Sequence, residues 1–200
     1  MTKLRDALAA LPVIDVREET VLLGELLGPP VTPAVLVFVR HFACPSCSST
    51  AHAFVARAPE IAALGARLLV IGNGSAAALA GFVERVGFPP TCVAVTDPSL
   101  RAHELAGMVR SRWATFQPRA VLRSIGLYSR GHYAKRGADD GDLDQQGGVL
   151  LFGAETLLFE HRNHFVGDDA DPSDVIAALL RERAARAEVA GRHAVNRHAL

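Results

Sequence analysis

Two cysteines separated by two residues, Cys44 and Cys47, stand directly behind an apolar run, Val35-Leu36-Val37-Phe38-Val39, with Arg40 and His41 between. A thiol pair at this spacing suits two-electron chemistry, in which one thiolate attacks and the other closes a disulfide on it. Pro45 sets the local geometry. The residue before a proline is pushed out of the α region and proline is favoured at the first helical position, so Cys44 is expected at the N-cap and Cys47 at N3. An N-cap side chain faces the free amides of the first turn and the positive end of the helix dipole, and both favour a thiolate. Cys44 is therefore the candidate nucleophile, and Cys47 the candidate resolving thiol. A nearby cation would lower the Cys44 pKa further. Arg40 and His41 both offer one, but side chains alternate along a strand, so only one of them can face the thiol. Read from the residues alone, the pair also fits structural thiols or part of a metal site. Zinc needs four ligands and the chain has no second C-x-x-C and no H-x-x-x-H, which leaves copper held by Cys44, Cys47 and a histidine as the metal alternative. Cys92 opens an apolar strand and reads as an inert buried thiol.

The chain that must position these groups has 200 residues, enough for one sizeable core and too few for two comfortable domains. We expect a single domain over 1–188, an insertion at 109–142, and a frayed polar tail over 189–200. Formal net charge is zero, so no global field draws in nucleic acid or an anionic membrane, and neither is an expected partner. No apolar run approaches a membrane span, and three cysteines do not make a secreted disulfide framework. The expected location is cytoplasmic.

Taken in order, a short amphipathic helix leads to extended pieces at Val13-Ile14-Asp15-Val16 and Val21-Leu22-Leu23, which predict a hairpin. The central strand spans about Ala34 to Arg40, and its continuous apolar character suits coverage on both faces. The helix from Cys44 carries Phe54, Val55, Ile61 and Leu64 and is expected to break or kink at Pro59. A strand at Arg67 to Gly72, an alanine-rich helix closing at Gly87, and a strand from Cys92 follow. Asp97 is expected to cap a helix with Pro98 at N1. The 109–142 insertion interleaves arginines with Trp113, Phe116, Tyr128 and Tyr133 and predicts a helix near Pro118 to Tyr128. Strands at Val149 to Phe152 and Thr156 to Arg162 form an edge hairpin, and a last helix starts at Asp171-Pro172. Alternating strands and helices give an α/β fold: a central mixed sheet with helices on both faces, an extra N-terminal hairpin, and a helical insertion before the C-terminal β-hairpin.

Beyond element order, three strings carry a resemblance. They are Val37-Phe38-Val39-Arg40-His41-Phe42-x-Cys44-x-x-Cys47, the Asp97-Pro98 start after the third strand, and Gly141-Asp142-x-x-Gln145-Gln146-Gly147-Gly148 followed by an apolar strand and His161-Arg162. With them, the stretch from Val13 to Leu180 resembles the peroxiredoxin-like family of the AhpC/TSA antioxidant type, on a thioredoxin-like fold. The resemblance implies a thiol oxidoreductase that reduces a small peroxide or a disulfide through a Cys44-Cys47 dithiol/disulfide cycle, without a metal or organic cofactor. An external thiol system, of the thioredoxin or glutathione kind, would restore it, and a homodimer is a candidate assembly. It also implies supporting roles for Gln146, Gly147, Gly148 and Arg162 beside Arg40, His41 and Pro45. Gln145 and Gln146 offer amides to the thiols or hold the turn, and Arg162 alternatively forms a surface ion pair with Asp168 or Asp169. The glycines stand where a thioredoxin has its cis-proline and are expected to approach the Cys44 loop. The chain departs from typical peroxiredoxins in lacking a Pro seven residues and a Thr or Ser three residues before the nucleophile. Counted from Cys44 these positions are Val37 and His41, which predicts slow peroxide reduction with faster disulfide exchange. The alternative function is a non-catalytic redox-sensing or binding module whose surface includes the insertion.

Overall fold

The computed structural model describes residues 3–116, 139–154 and 156–197, the side chains of 115–116 and 189–197 excepted. The elements are α1 (Lys3–Ala9), β1 (Pro12–Ile14), β2 (Thr20–Leu22), α2 (Leu23–Leu27), β3 (Ala34–Phe38), α3 (Pro45–Ala56), α4 (Ala58–Ala63), β4 (Arg67–Gly72) and α5 (Ala76–Val86). They continue with β5 (Cys92–Thr96), α6 (Arg101–Leu105), α7 (Arg112–Phe116), β6 (Gly148–Phe152), β7 (Leu157–Arg162) and α8 (Pro172–Arg197). The strands form one mixed sheet in the order β2-β1-β5-β4-β3-β6-β7. β3, β4 and β5 run parallel, so their carboxyl ends lie together, while β6 returns antiparallel beside β3 and β7 beside β6.

The near-continuous apolar run of β3 is explained by a core on each face of the sheet. Val35 and Val37 pack with Phe54 of α3, Ile61 of α4, Phe82 of α5 and Leu179 of α8. Ala34, Leu36 and Phe38 point the other way, toward Leu8 of α1, Leu23 and Leu27 of α2, and Ala102 of α6. Each such Phe or Leu, fully buried, stabilises the fold by about 1.5–3 kcal/mol relative to exposure. This burial on both faces fixes the direction of β3, and with it the place where the chain emerges at Val39 and Arg40.

The helix from Cys44 breaks at Pro59 as expected: α3 caps at Arg57, and α4 begins with Pro59 in its first turn, where the missing N–H costs nothing. Other local expectations are corrected. The helix after β5 begins at Arg101, not Pro98. Asp97 is the first residue of a turn closed by Leu100 N–H to Asp97 O, and its carboxylate receives the N–H groups of Ser99 and Ala102 across that turn. Leu100 takes φ 63 to complete it. α8 continues to Arg197, past the Glu188 where polar composition predicts fraying. The helix expected near Pro118 to Tyr128 lies outside the described residues. Of the insertion's arginines, Arg110 pairs with Asp142 at 2.7 Å and Arg112 with Asp144 at 3.0 Å.

Candidate active site

The carboxyl end of β3 turns through Val39-Arg40-His41-Phe42-Ala43 into α3. Phe42 anchors this turn: its ring is buried and meets Phe82 of α5 at 5.2 Å, while Arg85 of the same helix donates to its carbonyl oxygen. Cys44 is the N-cap of α3, with extended backbone (φ −77, ψ 123), and Pro45 is the first helical residue. Its sulfur accepts the Cys47 N–H at 3.4 Å, in the manner of an N-cap acceptor.

Both sulfurs are buried, Cys44 at 2% exposure and Cys47 at 6%, and both thiols are free. Burial alone would keep both protonated. Their environments divide them instead. The Cys44 thiol is lowered to about 6, chiefly because the Cys47 side chain hydrogen-bonds to it, with the Arg40 charge and the Cys47 amide adding against burial. The Cys47 thiol is pushed well up by burial and by its hydrogen bond to Cys44 and that neighbour's charge. The surroundings thus favour the thiolate on Cys44 and the thiol on Cys47. Cys92, at the opposite end of the sheet, is pushed up to about 12 by burial.

Of the two candidate cations, Arg40 faces the thiol. Its Nη1 lies 3.7 Å from Cys44 Sγ, its Nε donates to Gln145 O at 3.0 Å, and its Nη2 donates to Leu143 O. His41 contributes through its backbone, its carbonyl accepting from Cys44 N at 3.2 Å, while the Arg40 amide donates to Cys47 Sγ. The strap over 139–146 is thus tied to the guanidinium that touches the thiolate. A second tie is Asn73, which donates from Nδ2 to Arg40 O at 2.6 Å and accepts the Asp142 N–H at 2.7 Å. Phe42 N–H to Asp140 O and Ser75 N–H to Asp139 O complete the attachment.

Beside Cys47 runs a narrow cleft of about 10 Å³, room for roughly one water. Arg40, Ser46, Cys47, Gly147 and Asp169 are among its lining residues. Asp169 is held by Ser46 Oγ at 2.8 Å and Asn163 Nδ2 at 3.1 Å, and its charge opposes the Cys44 thiolate. Gly147 and Gly148 both line this cleft, on the thiol side. Their close approach is to neighbouring strands: a Cβ on Gly147 would sit 2.2 Å from Phe38 O, and one on Gly148 2.4 Å from His161 O. No cis peptide occurs among the described residues.

Two predicted supporting side chains serve elsewhere. Gln146 is fully buried and holds the turn, its N–H to Val109 O at 2.7 Å and its Nε2 to Asp144 O. The neighbour's backbone, Gln145 O, makes the contact to Arg40. Arg162 pairs neither with Asp168 nor with Asp169: its Nε reaches Ala106 O on the face of the sheet away from α3, and its Nη1 reaches Glu160. Asp168 instead meets His161 and His164. Sequence reasoning missed Asn73, Ser46, Asn163 and Asp169. The one available signal was position, since Asn73 directly follows the parallel strand beside β3. Among the described residues no three or more His, Cys, Asp or Glu side chains converge as a metal site, and no helix is long and apolar enough to cross a membrane.

A mixed sheet flanked by helices, with a C-x-x-C at the start of the helix after its central strand, defines a thioredoxin-fold dithiol protein. The sequence model described as AhpC/TSA antioxidant enzyme matches residues 53–164, more than half of the chain, and the chain belongs to that family. The match begins beyond both Cys44 and Cys47, so the scaffold carries it and the roles of the thiols rest on geometry. Relatives include the "Thioredoxin-like protein AAED1, chloroplastic" of Arabidopsis thaliana, 27% identical over 86% of this chain and 71% of that protein. The "Peroxiredoxin-like 2C" of Bos taurus is 26% identical over 84% and 73%. Among solved structures, the bacterioferritin comigratory protein of Xanthomonas campestris superposes with a TM-score of 0.62 at 16% identity, covering 88% of this chain and 94% of the other. Peroxidoxin BcpB of Mycobacterium tuberculosis gives 0.60 at 19%, covering 86% and 92%. These two show the shared fold.

Proposed function

We propose that the chain is a thiol peroxidase in which Cys44 is the nucleophile, Cys47 resolves, and an external dithiol completes the cycle. The observation that carries this reading is the place of the Cys44 sulfur, at the N-cap of α3 with the Cys47 N–H at 3.4 Å and Arg40 Nη1 at 3.7 Å. A thiolate at Cys44 attacks one peroxide oxygen. The S–O bond forms as the O–O bond breaks, and the leaving oxygen takes a proton to become water or an alcohol. Cys47 then attacks the Cys44 sulfur, the S–O bond breaks, water leaves, and a Cys44-Cys47 disulfide remains. Two thiols of the reductant return both cysteines to the starting state.

The cleft is lined by Cys47 and not by Cys44, so it sets no limit on what reaches the nucleophile. The missing Thr or Ser still gives the expected order, slow peroxide reduction with faster disulfide exchange. One equivalent of hydrogen peroxide should make the protein two hydrogens lighter, with peptide mapping linking Cys44 to Cys47. A linkage to Cys92, or three free thiols, would overturn the proposal.

A further inference from the structure

Cys47 Sγ accepts the Arg40 N–H at 3.2 Å. That amide belongs to a conjugated peptide plane whose carbonyl is engaged by a buried side chain: the Val39 carbonyl, in one plane with the Arg40 N–H, meets His103 Nε2 at 3.1 Å.

His103 sits on α6, on the face of the sheet opposite α3. It is fully buried, with its ring edge-on to Phe38 at 5.3 Å. A carbonyl requires a donor, so Nε2 carries the proton and Nδ1 is left as an acceptor, without a hydrogen-bond partner among the described residues. Burial pushes the imidazole down to about 4, so the ring is neutral at physiological pH. A buried nitrogen without a partner is costly, and an apolar ring would pack against Phe38 without that cost. The bond to the Val39 carbonyl is what the imidazole adds.

We propose that His103 is a positioning residue for Cys47: it holds and polarises the carbonyl end of the peptide whose N–H is aimed at Cys47 Sγ, favouring its thiolate in the resolving half of the cycle. The inference rests on the reading of Cys47 as the resolving thiol. In the reduced protein the charge on Cys44 keeps Cys47 protonated. Once Cys44 is a sulfenic acid, that charge is gone, and burial is opposed by the Arg40 amide and the Arg40 charge. The Cys47 thiolate then attacks Cys44 Sγ, the S–S bond forms, the S–O bond breaks, and the departing hydroxide leaves as water with the proton that Cys47 released. Linked hydrogen bonds strengthen one another by about 10–30% each, so the buried imidazole acts on Cys47 without touching it.

The test isolates Cys47 in a Cys44→Ser protein and follows ultraviolet thiolate absorbance against pH. The charged or titratable groups around Cys47 are then Arg40, His41 and Asp169; His103 stays neutral above about 4, and Cys92 titrates far higher. In that background His103→Phe should raise the Cys47 midpoint by roughly half a unit, equivalent to about threefold less thiolate at fixed pH. His103→Gln, whose amide N–H can replace the Nε2 donor, should return it toward the parent value. With Cys44 present, His103→Phe should slow conversion of sulfenic acid to disulfide about threefold. Equal midpoints in the parent and both variants, or equal shifts in Phe and Gln, would overturn the proposal. If His103→Phe does not fold, the amide proton of Arg40 serves instead. It should move downfield as Cys47 ionises, and a stationary resonance would overturn the proposal. Because the titration needs no turnover, its failure is distinct from failure of the peroxidase reading, which appears as no disulfide after peroxide.

Discussion

Cys44 and Cys92 lie at opposite ends of the parallel strands of one mixed sheet, and the contrast between them separates surroundings that favour a thiolate from burial that keeps a thiol protonated. Cys92 opens β5 at its amino end, where burial acts alone and pushes the thiol up to about 12. Cys44 follows the carboxyl end of β3, is more deeply buried, and is lowered to about 6. The difference comes from what converges on the carboxyl ends of the strands: a helix start, a second thiol that donates, and an arginine fixed by a distant strap. Burial strengthens those interactions as much as it penalises the charge, provided the partners are in place.

Removing each sulfur in turn tests this contrast with the largest effect. Cys44→Ser should reduce peroxide consumption to background, whereas Cys92→Ser should retain activity within about twofold, since it deletes one weak donor from an apolar site. Equal losses in a reductant-coupled assay would erase the distinction between the two ends.

The backbone carries the same contrast. Gly147→Ala would set a methyl group 2.2 Å from the Phe38 carbonyl, beside the cleft, and should cost about 1–3 kcal/mol or more of stability in urea unfolding. Gly81, on the exposed side of α5, has nothing within 4 Å of the same position. Gly81→Ala should stabilise by roughly 0.5–1 kcal/mol.

Arg40→Gln removes the charge but keeps a polar side chain, and should raise the Cys44 midpoint by roughly one unit. It also releases the Gln145 and Leu143 carbonyls, for an added stability loss of about 1–3 kcal/mol. A midpoint unmoved in Arg40→Gln would assign the depression to Cys47 and the helix start alone.

The smallest expected effect is the pH dependence of stability, to which the thiols contribute with opposite signs. Cys44 is depressed on folding, so its contribution is complete above the unfolded value of about 8.5 and is lost as pH falls through about 6. Cys47 and Cys92 are raised, so the folded state keeps protons that the unfolded state releases, and stability falls as pH rises past about 8.5. Chemical unfolding across this range should show stability rising toward about pH 8.5 and declining above it. Cys44→Ser should flatten the rising limb, and Cys92→Ser should soften the decline.

The parts of this site written in consecutive residues were legible in the sequence. The apolar run into Arg40-His41, and Pro45 after Cys44, specify the strand and the N-cap by local sterics. The bracing was not legible, because it joins residues remote in the chain: Asn73 reaches Arg40 across 33 positions and Gln145 reaches it across 105. Nothing local distinguishes Asn73 from an ordinary turn residue, and His103 reads as one polar residue in a short helix. The string around Gln146 and Gly147 marked the right region while leaving the working atom, the Gln145 carbonyl, unspecified. Asp97 misled for a related reason: Asp-Pro is a common helix start, but here the carboxylate bridges a turn before the helix begins.

The central claim is that Cys44 is the thiolate and Cys47 holds the proton. Ultraviolet thiolate absorbance of the reduced protein against pH, repeated in Cys44→Ser and Cys47→Ala, tests it most directly. The account predicts a transition near pH 6 in the parent protein, its loss in Cys44→Ser, and its upward displacement in Cys47→Ala as the donated hydrogen bond disappears. A transition near pH 6 that survives in Cys44→Ser and vanishes in Cys47→Ala would contradict it and make Cys47 the nucleophile.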